Sequence, residues 1–233
     1  MGDKDIERLK KEYERRDQEN VDIITYSHLS PSYNFYITQL NKSLNHLFHQ
    51  EESSTVKNRK ILEIGCGSGG VLQNFLKFGV HEDSMFGVDL LFRRLLTAKS
   101  VLQQAKFINS DAQYLPFPGD LFDCVLQFTA FSSILNMNIK MNMASEMLRV
   151  TKEDGAIIWY DFWWNPTNPQ TEGIKPAEIR KLFPECNFIF RKITLAPPIA
   201  RKVVPLSWPF ALLLESLKIF NSHYLVLIKK RVD

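Results

Sequence analysis

Two periods of apolar positions alternate along this chain. Between residues 59 and 161, short apolar runs at 61–64, 85–88, 107–109, 122–128 and 156–160 are separated by stretches whose apolar residues recur every three or four positions. The runs have strand length and the stretches suit one-sided helices, so the pattern predicts strands alternating with helices, and hence a parallel sheet. Leu91, Leu95, Ala98 and Leu102 form one helical stripe, with Arg93, Arg94 and Lys99 expected in solvent; Met143, Ala144, Met147 and Leu148 form another. Upstream, residues 3–19 read as a charged surface helix with a thin stripe of Ile6, Leu9 and Tyr13. Ser30 and Pro31 suit a helix start, after which Tyr33, Ile37, Leu40, Leu44 and Leu47 offer one face to the core, and polar residues 51–58 link this helix to the first strand.

Beyond Asp161 the pattern is less regular. Pro166, Pro169 and Gly173 break it, residues 176–183 read as a short helix, residues 188–195 alternate as a strand, and residues 224–228 make a last strand. Residues 196–221 are too apolar for a plain solvent loop, while prolines, Glu215 and Lys218 interrupt a stretch already short for a membrane span. Three readings stand: a helix packed on the sheet edge, an apolar lid over a substrate, or a patch at residues 203–220 resting on a membrane surface. The whole reads as one compact unit, with residues 1–58 a helical cap or lid on a domain at 59–233.

Composition narrows the class. With 233 residues, 45% hydrophobic and 24% charged, the chain fills one core. A net charge of +3 without a segregated basic block disfavours nucleic acid. Cys66, Cys124 and Cys186 are scattered, without disulfide or metal-ligand spacing, so no metal is expected. The charged first twenty residues do not match the apolar core of a signal peptide, and a reducing cytoplasm is the expected compartment.

Candidate chemistry begins at Ile61-Leu62-Glu63-Ile64-Gly65-Cys66-Gly67-Ser68-Gly69-Gly70, a buried strand running into a glycine turn that feeds a helix. Such a turn brings backbone amides close to a ligand with no β-carbon between. Gly65, Gly67 and Gly70 fit a dinucleotide pattern, whereas Gly65, Gly67 and Gly69 fit a glycine-x-glycine-x-glycine turn, so the glycines alone do not choose a cofactor. Asp89 ends the second strand 24 positions after Gly65, a spacing suited to gripping ribose hydroxyls. A third strand leads into Ser110-Asp111-Ala112 and then Leu115-Pro116-Phe117-Pro118.

Taken with Gly87-Val88-Asp89, Phe122-Asp123 and residues 146–156 (Glu-Met-Leu-Arg-Val-Thr-Lys-Glu-Asp-Gly-Ala), these phrases occur in one order over about residues 59–161. In that order the chain resembles the class I S-adenosylmethionine-dependent methyltransferases, in particular the small-molecule branch with the ubiquinone and menaquinone biosynthesis enzymes. The resemblance implies an α/β fold: a Rossmann-like, doubly wound, seven-stranded, mostly parallel sheet whose last strand is antiparallel and inserted. It implies S-adenosylmethionine as cofactor, with S-adenosylhomocysteine as product. Gly65, Cys66, Gly67 and Gly69 would carry its methionine end above Glu63, Asp89 would accept both ribose hydroxyls, and Leu90 would pack on adenine. Asp111 and Ala112 would meet the adenine amine, Gln127 would contribute backbone, and Phe128 would wall the methyl pocket. Asp89 as a helix cap and Asp111 as a turn former remain open beside these roles.

On the acceptor side, Asp161 follows the fifth strand at the same rim and is a candidate base; Tyr160 alternates with it and so points elsewhere. His223 and His28 are further candidates. The Asp/Asn-Pro-Pro-aromatic tetrapeptide of nucleic-acid amino-methyltransferases is replaced by Gln127-Phe128-Thr129-Ala130-Phe131, so a small molecule, sugar or lipid-linked acceptor is expected, with oxygen as the first choice of methylated atom. Two other functions compete: a methyltransferase-like scaffold without turnover, and a nicotinamide-dependent oxidoreductase.

Overall fold

The computed structural model describes residues 2–19, 29–50, 58–165 and 168–231. The elements in order are α1 (Gly2–Gln18), α2 (Pro31–Gln50), β1 (Ile61–Ile64), α3 (Gly70–Phe75), β2 (Met85–Asp89), α4 (Phe92–Val101), β3 (Lys106–Asn109), β4 (Phe122–Phe128), α5 (Met137–Val150) and β5 (Thr151–Phe162). They continue with α6 (Pro176–Leu182), β6 (Cys186–Leu195), α7 (Pro197–Val203), α8 (Trp208–Ser216) and β7 (Asn221–Lys230). His28 and the link at 51–57 lie outside the described residues.

The seven strands form one sheet in the order β3-β2-β1-β4-β5-β7-β6. β1 to β5 pair in parallel, and β7 runs antiparallel between β5 and β6. The reversal of strand order about β1 and β4 opens a crevice at the carboxyl ends of the strands, where ligands of such sheets bind.

Alternation along each strand serves two layers. Leu62, Ile64, Val125, Ile157 and Trp159 face α5 and α6 in one cluster. Ile61, Leu126, Phe128, Ile158 and Tyr160 face α2, α3 and α4 in the other. Leu44 and Leu47 of α2 are fully buried there, as their spacing predicts. The Ser30 hydroxyl accepts from the Tyr33 amide at 3.4 Å, fixing the start of α2.

The amino-terminal helix lies on the surface as expected, but it is held more firmly than its thin stripe suggests. Leu9 of α1 is buried in the α5-side core, and the Tyr13 hydroxyl meets Ser133 Oγ at 2.9 Å. The Arg8 guanidinium donates to the Ser133 carbonyl at 2.7 Å and to Gln170 Oε1 at 3.0 Å. A thin stripe suffices because polar side chains, not apolar area alone, fasten the helix.

Residues 196–221 resolve into two short helices. Ala200 and Val204 pack with Phe35, Leu195 and Ala211 as a third, smaller cluster beside the sheet. Within this segment Glu215 is buried, and its Oε1 accepts from the Thr194 amide at 3.1 Å. Among the described residues no helix is long and apolar enough to cross a membrane.

Candidate active site

A cavity of about 1290 Å³ opens along the carboxyl ends of the strands. Sheet order divides its wall. Glu63, Gly65, Cys66, Gly67, Asp89, Leu90, Asp111 and Ala112 line it from β1, β2, β3 and the turns after them. Phe128 closes β4, and Tyr160, Phe162 and His223 line it from β5 and β7. Gly69, Gln127 and Asp161 are not on this wall.

Local geometry at the first turn follows from its glycines. Gly65, Gly67 and Gly69 have φ of 68°, 51° and 80°, a region that side chains rarely adopt. A β-carbon on Gly65 would lie 2.8 Å from that of Ala130, whereas one on Gly67 would meet only the Arg94 guanidinium, at 3.8 Å. Gly65 thus lets two loops close, and Gly67 keeps the cavity wall low. Gly69 shapes the turn from behind, its amide donating to the Cys66 carbonyl at 2.9 Å.

Asp89 faces the cavity and is tied to the backbone on both sides. Its Oδ2 accepts from the Gly67 amide and its Oδ1 from the Leu91 amide, each at 2.8 Å, so it ties the glycine turn to the start of α4 while facing the cavity. Burial pushes its carboxyl up, against the lowering pull of these two amides and of Arg94. Asp111 makes a local turn, accepting from the Gln113 amide at 2.9 Å and the Gln113 side-chain amide at 3.0 Å, and it also lines the cavity.

Glu63 is 2% exposed, and its Oε2 has no hydrogen-bond partner. Burial and the nearby Asp89 charge push its carboxyl well above the usual carboxylate range, with the Leu72 amide opposing. A buried, unpartnered carboxyl oxygen on a cavity wall calls for a donor or a cation. An amino-acid ammonium beside glycine-turn amides meets that need, so these residues fit a nucleoside-linked amino acid such as S-adenosylmethionine.

Gln127 and Asp161 have a different task. Gln127 is fully buried; its Nε2 donates to Asp161 Oδ2 at 3.1 Å and its Oε1 accepts from the Ala130 amide at 2.8 Å. Asp161 also accepts from the amides of Ser132 at 3.0 Å and Phe162 at 2.8 Å. Burial outweighs these donors and pushes Asp161 up to about 6. Together the pair shapes residues 129–133, including Thr129 with φ 57°, from behind the cavity. Their strand phase explains the exclusion: Asp161 lies on the Trp159 side of the sheet, and Tyr160 and Phe162 on the other.

His223 does reach the cavity. It sits opposite Phe162 in the β5–β7 ladder, stacks on Tyr160 with ring centroids 4.6 Å apart, and meets Ser222 Oγ through Nδ1 at 2.9 Å. Burial pulls it down to about 3, so it is neutral near pH 7.

Arg94, expected in solvent, lines the cavity instead. Its guanidinium lies 4.7 Å from the Tyr13 ring centroid and pairs with Asp17 of α1. Tyr13, Ser133, Thr129 and Pro197 also line the cavity. Only Tyr13 left a trace in the sequence, as part of the α1 stripe; the others depend on contacts remote in sequence.

Relatives agree with this geometry. A family profile described as a methyltransferase domain matches residues 61–155. Residues 61–155 therefore carry a methyltransferase domain. The domain is 30% identical over 127 residues to the ubiquinone/menaquinone biosynthesis C-methyltransferase UbiE of Pseudomonas fluorescens, covering 52% of this chain and 48% of that protein. It is 28% identical over 136 residues to the enzyme of that name from Saccharophagus degradans, covering 56% and 52%. The match thus spans about half the length of these curated relatives. The methyltransferase fold is also shared with a SAM-dependent methyltransferase from Methanosarcina mazei, with a TM-score of 0.56, 15% identity and coverage of 80% of this chain and 98% of that one.

Proposed function

We propose that the protein binds S-adenosylmethionine and transfers its methyl group to an oxygen of a small acceptor with an apolar ring or chain. The observation that carries this reading is a single cavity that joins an unpartnered buried Glu63 and the glycine turn to an aromatic rim of Phe128, Tyr160 and Phe162. At about 1290 Å³ it exceeds the ~300–1,000 Å³ of an ordinary ligand pocket, which leaves room for a cofactor and an acceptor together.

The cofactor supplies a methyl group activated by its sulfonium. Glu63 holds the ammonium, the turn amides face the carboxylate, and Asp89 adds ribose hydroxyls to the amides it already accepts from. Asp111 and Ala112 hold the adenine edge, with Leu90 against its face. Phe128, Tyr160 and Phe162 orient the acceptor and exclude water. His223, neutral and fixed by Ser222, accepts a hydrogen bond from the acceptor hydroxyl and aligns its oxygen; with so low a pKa it contributes orientation, and the hydroxyl proton is released to solvent. Helices α1 and α2 act as a cap, and α1 closes the cavity.

A second reading, carbon methylation, is favoured by the C-methyltransferase names of the relatives. Calorimetric titration with S-adenosylhomocysteine, with NADH alongside, tests the cofactor: binding of the first alone supports the proposal, and binding of NADH alone or of neither overturns it. Transfer from a carbon-13 methyl donor then separates oxygen from carbon by the chemical shift of the product methyl.

A further inference from the structure

The outer face of residues 205–220 has the wrong polarity for a helix facing water. α8 turns Ala211 and Glu215 inward, while Phe210, Leu213 and Leu217 stand outward and are 50%, 56% and 51% exposed. Leu206 before the helix and Ile219 after it are 87% and 69% exposed. Among the described residues, eight of the seventeen exposed large apolar side chains fall between 206 and 220. Scattered apolar side chains on a surface need no cause, but a contiguous group marks a contact.

Charge decides what the contact is. Arg201, Lys202 and Lys218 are exposed around this face, whereas the one acidic residue of the segment, Glu215, is buried against the Thr194 amide. Within residues 201–220 every exposed charge is therefore cationic. An apolar face carrying Trp208 and ringed by cations suits the boundary between anionic headgroups and acyl chains. The patch also continues into the cavity, because Pro197, Ile199 and Arg201 of α7 line it.

We infer that residues 201–220 dock on an anionic lipid bilayer. The docking stands on the surface alone.

The test is co-sedimentation of the full chain with vesicles of phosphatidylcholine, alone or mixed with phosphatidylglycerol, with S-adenosylhomocysteine affinity measured on the same samples. Wild type should pellet with the mixed vesicles and much less with phosphatidylcholine alone. The F210S/L213S/I219S variant and the K202E/K218E variant should each lose at least tenfold of that binding with unchanged S-adenosylhomocysteine affinity. These positions are exposed and outside the cofactor wall, so retained affinity certifies the fold. Wild type left in the supernatant with both vesicles overturns the docking, as do variants that bind vesicles like wild type. A dimer in sedimentation equilibrium that F210S/L213S/I219S dissolves also overturns it, since the face then belongs to a second copy. Vesicle binding without S-adenosylhomocysteine binding keeps the docking and overturns the methyltransferase reading.

Discussion

The Gly67 amide donates to the Asp89 carboxylate at 2.8 Å, joining the glycine turn after β1 to the end of β2. The carboxylate that faces the cavity therefore also sets the shape of the turn beside it. The D89A variant should lose about 1–3 kcal/mol of stability through the unsatisfied Gly67 and Leu91 amides, and at least tenfold in S-adenosylhomocysteine affinity. Urea unfolding and calorimetry read the two effects separately. A folded variant with wild-type affinity overturns the ribose assignment.

Glu63 makes a sharper prediction, because its Oε2 lacks a partner and its carboxyl is held well above the usual range by burial. An ammonium arriving beside it stabilises the ionised form and expels a proton. Binding enthalpy should then vary with the ionisation enthalpy of the buffer, and E63Q should abolish that variation while weakening binding by tenfold or more. E63Q should also be no less stable than wild type near neutral pH. The raised pKa means that the folded state holds its proton as pH climbs past the unfolded value, so the native carboxyl lowers stability at higher pH.

The two buried groups at the β5–β7 rim act in opposite directions with pH. His223 lies near 3 against 6.5, so the unfolded chain binds the extra proton between these values; stability rises with pH through that window and is fully present above 6.5. Asp161 lies near 6 against 3.8, so the folded chain binds the extra proton and stability falls as pH rises through its window. In H223F only the second effect survives. Relative to wild type, H223F should gain on the order of 3 kcal/mol on passing from pH 7 to pH 4, read by urea unfolding at both. Equal pH dependence in the two proteins would contradict the burial of a neutral imidazole.

Contacts of Arg8, Tyr13 and Asp17 fasten α1 along the cavity, which predicts that it closes over a bound ligand. Trypsin cleavage near Arg15 and Arg16 should slow when S-adenosylhomocysteine is added. Y13F, which loses the bond to Ser133 Oγ, should be cut faster and bind the ligand about two- to tenfold more weakly, in line with one neutral hydrogen bond. Cutting rates indifferent to ligand would count against closure.

Removing the Asp161 carboxylate tests its place behind the wall. D161N sets an amide where three donors converge, so it should cost about 1–3 kcal/mol of stability and loosen residues 129–133. Its rate of methyl transfer should fall without loss of any pH-dependent limb. Loss of such a limb would return Asp161 to the role of base.

Several of these relationships were open to the sequence and several were not. The strands and helices from 61 to 161 and the inserted antiparallel β7 were legible, the first from the alternation of periods and the second from the family phrases. The placement of Asp89 and Asp111 on the cavity wall follows from their positions just after strands that share one rim. Arg94 looked like a solvated helix charge, and only the return of α1 gives it Tyr13 and Asp17 as neighbours. Gln127 follows the family position for a backbone contact with the cofactor, and only the fold shows that its side chain bonds Asp161 and the Ala130 amide.

The sequence by itself determined the sheet, its two helical layers and the cofactor half of the cavity, because backbone period and glycine turns are written in windows of a few residues. Tertiary structure decided what the charged α1 covers, which of Tyr160 and Asp161 faces the cavity, and that residues 205–220 turn their apolar side chains outward. Those outcomes depend on strand phase and on partners about 30 to 160 positions away, whose competition for burial and hydrogen bonds no local pattern records.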